Sequence, residues 1–270
     1  MRQVVYTPAA DRLVYLDEKA TPEFWDARWR AEGRAGTSRQ DNEIVRVTAK
    51  YLPAGSRVLE GGCGRANKVK ALADSGFKAI GIDFAEESVR QARLEYPELD
   101  IRKGDVRSLP FPADYFDGYW SIGVIEHFWI GYDPILAEAH RVLRPGRLLF
   151  LTAPWFSPYR RYKARIGGYP QSQFGREPEA FYQFALGRRE VTAELSKHGF
   201  DLLRWRGLAP EVSMQEDMDS MRRPVEWLLG SRGSYPKRVL RRAVTGALAG
   251  FCGHSFMAIA RRRRGKGARQ

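Results

Sequence analysis

The sequence predicts an open α/β fold with a doubly wound, mostly parallel seven-stranded sheet, and three observations predict it. Short apolar runs alternate with helical periodicity along most of the 270 residues. The run from Arg57 to Glu60 enters the acidic, glycine-dense turn Glu60-Gly61-Gly62-Cys63-Gly64. About twenty residues later, a second apolar run ends in Asp83. Gly62 and Gly64 lack a Cβ, so the main chain can turn tightly and a ligand can approach it closely.

Taken in order, Thr21-Pro22-Glu23 has the form of a helix start, with Thr21 as N-cap and Pro22 at the first helical position. Phe24, Trp25 and Trp29 follow on one face, and residues 1–50 are expected to be lid helices. The expected strands are Arg57–Glu60, Ala79–Asp83, Leu99–Lys103, Tyr115–Ser121, Leu148–Thr152, Asp201–Arg206 and Ser255–Ala260. Helices are expected over Glu86–Tyr96, where Val89, Ala92 and Arg93 begin a face closed by Tyr96, and over Asp133–Leu143, with Pro145-Gly146 as the stop. The main domain is read as residues 51–260, with an aromatic cap inserted at 154–185, a basic amphipathic insertion at 207–253, and a basic tail at 261–270.

Composition fits one α/β domain with a cap, at 43% apolar and 12% aromatic residues. Two cysteines, Cys63 and Cys252, give neither a disulfide framework nor a zinc set. The first twenty residues carry Asp11, Asp17 and Glu18 without a continuous apolar run, so no secretory signal is expected and a cytoplasmic setting is. Between Pro154 and Phe184 lie nine aromatics in 31 residues, interleaved with basic side chains. Trp155, Tyr159 and Arg160 there, with Trp25 and Trp29, are the expected acceptor-binding residues, the arginine pairing a negative charge.

The turn alone would suit either a dinucleotide or S-adenosylmethionine. The dinucleotide pattern asks for a third glycine where Asn67 stands. The segments VLEGGCGRA, AIGIDFAEESVRQAR, GDVRSLPFPADYFDGYWSIGVIEHF and HRVLRPGRLLFLTAP, spanning about Tyr51–Pro154, resemble the class I S-adenosylmethionine-dependent methyltransferases, in particular the ubiquinone/menaquinone-biosynthesis-like small-molecule branch, known as type 11. Two positions depart from the family pattern: Ala66 replaces the last motif glycine, and Gly146-Arg147 replaces a Gly-Gly pair.

The resemblance implies a Rossmann-like methyltransferase sheet with S-adenosylmethionine as cofactor. It assigns Glu60, Gly61, Gly62 and Gly64 to the methionine moiety, Asp83 to the ribose, Asp105 and Val106 to the adenine edge, Phe84 to an adenine face and Ser121 to the cofactor's other flank. His127, in the pair Glu126-His127, is the candidate general base. Some quinone-ring O-methyltransferases hold a metal with Glu-x-x-Glu-His. Gly123 stands at the first of those positions, so no metal is expected.

Net charge is +13, and eleven of the basic residues lie in the last 44, beyond Glu226, where no acid occurs. Arg232, Lys237, Arg238, Arg241, Arg242, the run Arg261–Arg264, Lys266 and Arg269 make up this tail. Leu240, Val244, Leu248 and Phe251 recur at helical spacing beside it, which reads as an interfacial helix contacting an anionic inner-membrane face. The span Ala243–Ala260 lacks charge for eighteen residues, but its glycines and its fit to the last strand argue against a membrane crossing. A nucleic-acid partner ranks lower, because Ser121-Ile122-Gly123-Val124 occupies the place where base amino-methyltransferases carry Asn/Asp-Pro-Pro-aromatic. The expected activity is therefore O-methylation of a small-molecule or lipid-precursor acceptor. An RNA or protein methyltransferase guided by the tail and a non-catalytic cofactor-binding module are the alternatives.

Overall fold

The computed structural model describes residues 3–31, 39–218, 223 and 235–265. All seven expected strands form, as β3 (Arg57–Gly61), β4 (Lys78–Asp83), β5 (Asp100–Lys103), β6 (Phe116–Ile122), β7 (Leu143–Pro154), β9 (Phe200–Leu208) and β10 (Ser255–Arg262). Their order is β5-β4-β3-β6-β7-β10-β9. The first five are parallel, and β10 runs antiparallel to both β7 and β9. The order reverses between β3 and β6, which opens a crevice at their carboxyl ends, the place where such sheets bind ligands.

Alternation along β6 and β7 gives the sheet two apolar faces. Tyr119, Leu149 and Leu151 enter one core with α5 (Asp133–Val142) and α7 (Arg188–Lys197). Trp120, Phe150 and Leu148 enter the other with α2 (Arg39–Tyr51), α3 (Asn67–Asp74) and α4 (Glu86–Glu95). Trp120 stacks on Phe150 at 4.5 Å between centroids, and its indole N–H donates to Thr48 Oγ1 at 2.9 Å, so a buried aromatic keeps its polar atom bonded.

Three expectations are corrected. Residues 1–50 are not all lid helices: β1 (Gln3–Thr7) and β2 (Arg12–Leu16) form a hairpin that β8 (Phe181–Ala185) extends into a second, three-stranded sheet. Among the described residues of this stretch, α1 (Pro22–Ala31) has the expected lid position. Pro145-Gly146 does not stop the helix before it. The helix ends at Val142, and β7 already runs through both residues, Gly146 taking φ 79°. Finally, the cap residues mostly pack inward: Phe156, Tyr169 and Tyr182 are buried around α6 (Pro158–Arg165) and the small sheet, and Trp155, Phe181 and Phe184 in the core beside α5 and α7.

The insertion at 207–253 contains α8 (Pro210–Asp217) and α9 (Tyr235–Cys252). Leu248 of α9 packs with Met214 and Cys252, and Phe251 meets the Tyr159 ring at 6.0 Å. Leu248 is thus partly covered by protein, whereas Phe251 stays about half exposed. The side chains of Lys237, Arg238, Leu240, Arg241 and Arg242, and residues Arg232, Lys266 and Arg269, lie outside the described residues. Among the described residues no helix is long and apolar enough to cross a membrane.

Candidate active site

A cleft of about 260 Å³ lies at the crevice between β3, β4 and β6, roofed by Trp25 and Trp29 of α1. Its floor is the glycine turn. Gly62 has φ 76°, and a Cβ there would sit 2.4 Å from Val124 Cγ2, so only glycine fits between the turn and the β6 loop. Gly64 has φ 50°, and a Cβ would strike the Trp29 indole at 2.8 Å. Asp83 closes the turn from the next strand, one oxygen accepting from the Gly64 N–H at 2.7 Å and the other from the Ala85 N–H at 2.9 Å. Burial raises its pKa, and those amides pull it back.

The roof is fastened at several points. Asp26 Oδ1 accepts from both the N–H (2.8 Å) and the hydroxyl (2.7 Å) of Ser88 in the first turn of α4. That helix has Ala85 as N-cap, with no side-chain oxygen, so a residue of α1 does the capping and meets the positive end of its dipole. Arg65 donates to the Trp29 carbonyl at 3.2 Å, and Arg28 to the Tyr182 hydroxyl at 3.3 Å.

His127 lies in the turn Ile125–His127 after β6 and lines the cleft. Its Nδ1 is 2.7 Å from the Tyr182 carbonyl, which only accepts, so Nδ1 carries the proton and Nε2 keeps a lone pair. The rings of Trp25 and Tyr182 meet the imidazole edge-on, each at 5.1 Å. Burial lowers its pKa to about 4, so it is neutral in neutral solution. The adjacent Glu126 carboxyl is also buried, and its pKa rises to about 8.

Of the predicted cofactor residues, Gly62, Asp83, Phe84, Asp105 and Val106 line this cleft. Asp105 is held by Arg107 at 2.6 Å, a pairing that keeps its carboxyl below the usual range. The Arg107 guanidinium lies over the Phe128 ring at 5.3 Å. Glu60 and Ser121 are buried and do not reach the cleft wall. Glu60 turns one side toward the Val69 N–H at the start of α3, and burial lifts its pKa to about 7. Gly61 is glycine for an internal reason, since a Cβ would overlap the Tyr119 hydroxyl at 2.3 Å.

The predicted acceptor residues divide in the same way. Trp25 and Trp29 line the cleft, whereas Trp155, Tyr159 and Arg160 do not. Trp155 packs edge-on to Trp205 at 5.9 Å, and Tyr159 donates to the Asp217 carbonyl at 3.2 Å. Arg160 is fully buried, with Nε on Asp217 Oδ2 at 2.7 Å and Nη1 on the carbonyls of Trp155 and His254. Arg107, Val124, Phe128 and Asp26 complete the site and were not foreseen. Val124 and Phe128 could have been found as the apolar neighbours of Glu126-His127. Asp26 and the Tyr182 carbonyl act across 62 and 55 residues of sequence, with no local signal.

Among the described residues, Asp133, Glu194 and His198 bring potential metal-ligand atoms within 4.8 Å of one another. The Lys197 ammonium already bonds Asp133 and lies 3.2 Å from Glu194, so this surface cluster holds its own cation. Its members lie at the start of α5 and the end of α7, and none of them lines the cleft.

The donor set suits a cationic sulfonium ligand with a ribose. The Asp83 carboxylate adds to the burial that raises the Glu60 pKa, the glycine turn leaves the backbone open, and Glu60 Oε2 and Ser121 Oγ are buried without a partner behind it. Residues 59–151 match the family described as "Methyltransferase domain". A probable S-adenosylmethionine-dependent methyltransferase of Mycolicibacterium smegmatis is 37% identical over 122 residues, covering 44% of this chain and 47% of the relative. A demethylmenaquinone methyltransferase of Lysinibacillus sphaericus is 33% identical over 110 residues, 38% of this chain and 47% of the relative. The chain thus spans less than half the length of these curated relatives. Among solved structures, the [4+2]-cyclase SpnF shares the fold with a TM-score of 0.58 at 17% identity, over 93% of this chain and 99% of that one.

Proposed function

We propose that the chain, whose residues 59–151 match a methyltransferase family and resemble a probable S-adenosylmethionine-dependent methyltransferase, methylates a hydroxyl of a small-molecule or lipid-precursor acceptor. The observation that carries this reading is the fixed tautomer of His127, whose Nε2 lone pair belongs to a neutral ring lining the cleft. The cofactor, when bound, supplies an electrophilic methyl group on a sulfonium. Asp83 accepts from ribose hydroxyls while holding the Gly64 and Ala85 amides, and Asp105 with the Val106 backbone offers a polar edge for adenine. Trp25 and Trp29 close over the turn and exclude water, which strengthens the pull of the carboxylates on a cation. His127 accepts the acceptor's hydroxyl proton at Nε2 as the oxygen becomes nucleophilic.

Aromatic walls at Trp25, Phe84 and Phe128 favour a flat acceptor. The Lysinibacillus relative is named for demethylmenaquinone, whose flat ring fits such walls and favours an aromatic-ring acceptor here. The test is labelled methyl transfer to a panel of quinols, catechols, amines and carboxylates, alongside bulk RNA and an unmodified protein extract. Label on a phenolic oxygen is the expected result. Label confined to RNA or to protein would replace this reading with the macromolecular one, and binding of the cofactor without any transfer would leave a non-catalytic module.

Cofactor binding has its own expectation. Titration calorimetry should give micromolar affinity for S-adenosylmethionine, about −8 kcal/mol. Asp83→Asn, which keeps the shape and one acceptor oxygen, should weaken it by about 1.5–3 kcal/mol through loss of the charge-assisted bonds. Unchanged affinity in this variant would remove Asp83 from the site.

A further inference from the structure

We propose that the foot of the sheet, at the opposite end from the methyl-transfer cleft, is a binding groove for a phosphate-bearing group. The inference does not rest on methyl transfer. Because β10 is antiparallel to β7, its carboxyl end lies where the parallel strands begin, with Arg261 opposite Leu148 on one side and Asp201 on the other. Thr152, four residues further along β7, is already level with Ile122 at the cleft. The basic run at the end of the chain therefore folds back beside Gly146-Arg147, one of the two departures from the family pattern. Arg147, Arg261, Arg262, Arg263 and Arg264 together line a groove of about 640 Å³.

The charges of this groove are not balanced from within. Arg262 is committed to Asp114 and the Leu143 carbonyl, and Arg263 to Asp201 at 2.7 Å. Arg147 reaches Asp117 at 3.3 Å, but that carboxylate also serves Arg144 at 2.9 Å and the Arg57 N–H at 3.0 Å. Among the described residues, Arg261 and Arg264 have no acidic partner. Six guanidinium groups thus meet three aspartates, and arginine does not shed its charge. A concave wall concentrates the resulting positive potential. Guanidinium forks match the paired oxygens of a phosphate, and an anion seated there would relieve the repulsion between Arg261 and Arg264.

The phosphate could come from a lipid headgroup or from a soluble ester, and the two sources are separable. Inorganic pyrophosphate titrated by calorimetry is the soluble arm. The lipid arm is co-sedimentation with vesicles of phosphatidylcholine alone or mixed with phosphatidylglycerol. Both use the full chain without added cofactor, at low and raised salt. Binding in either arm is expected to fall at least tenfold in Arg261→Glu/Arg264→Glu, each basic side chain near an anionic surface being worth about fivefold. Arg90→Glu on α4, at an exposed position away from the groove, should bind as the unaltered protein does. Arg147→Gly gives an uncharged second probe should the double variant melt early, and it too should weaken binding.

Retention of S-adenosylmethionine binding by these variants shows that the loss is local. Failure of both pyrophosphate and anionic vesicles to bind would overturn the proposal. So would a loss no greater than that of Arg90→Glu. Tighter, salt-sensitive binding of bulk RNA than of either phosphate probe would assign the groove to nucleic acid instead.

Discussion

Arg160→Ala should lower the stability of the protein by about 3–5 kcal/mol, because it leaves the Asp217 carboxylate buried without its counter-charge. For a domain of this size that corresponds to a fall of roughly 10 °C in the midpoint of thermal unfolding. The guanidinium joins α6, α8 and the start of β10 through Asp217, the Trp155 carbonyl and His254. Asp217 also accepts from Ser213 at 2.8 Å and Tyr169 at 2.9 Å. Burial pushes this carboxyl's pKa up, but Arg160, Ser213 and Tyr169 outweigh it and hold the pKa below its ordinary value. The unfolded chain therefore binds the proton more readily, and the contribution present at neutral pH disappears as pH falls through the folded value.

The paired variant Arg160→Met/Asp217→Asn should recover most of the loss, since both charges leave together. Scanning calorimetry decides it: a single-variant midpoint within about 2 °C of the parent would show that the pair contributes little. Methyl transfer by surviving folded protein should be unaffected, because Arg160 does not line the cleft.

The same residue shows where the sequence stops being legible. An arginine among aromatics reads equally well as an anion-binding wall or a buried strut, and what decides is Asp217, 57 residues away in the chain. Strands β3 to β7 could be read because hydrophobic runs, turn residues and Asp83 act locally. The β1–β2 hairpin had a local signal too, the short β-branched and aromatic runs Val4-Val5-Tyr6 and Leu13-Val14-Tyr15, but its third strand is β8, some 165 residues on. Periodicity in α9 is real, yet helical spacing is identical whether the apolar side meets lipid or, as for Leu248, the α8 surface. The cleft itself was read from its backbone-shaping residues. Glu60 and Ser121 belong to the same motif but stand behind the turn, because a β-strand sends alternate side chains to opposite faces and only its end is open to the crevice.

His127→Ala should reduce kcat by about 10²–10⁴ while cofactor affinity is preserved, if Nε2 takes the acceptor's proton. The predicted pH dependence separates this role from a structural one. Burial, with the positive charge of Arg28 acting in the same direction, holds the imidazole pKa near 4, against the opposing hydrogen bond to the Tyr182 carbonyl. Neighbouring Glu126 stays protonated up to about 8 and adds no negative charge to raise it. The acid limb of kcat/KM should therefore lie near pH 4, with no inflection at the ordinary histidine value, and should vanish in His127→Gln. Stability carries a matching signature. Between about pH 4 and 6.5 the unfolded chain binds more protons at this residue than the folded one, so the His127 contribution falls as pH falls across that window and is constant below it. Removing the imidazole should flatten this slope in urea melts. A loss of kcat below about threefold, or an acid limb that persists unchanged in His127→Gln, would return the residue to a packing role between Trp25 and Tyr182.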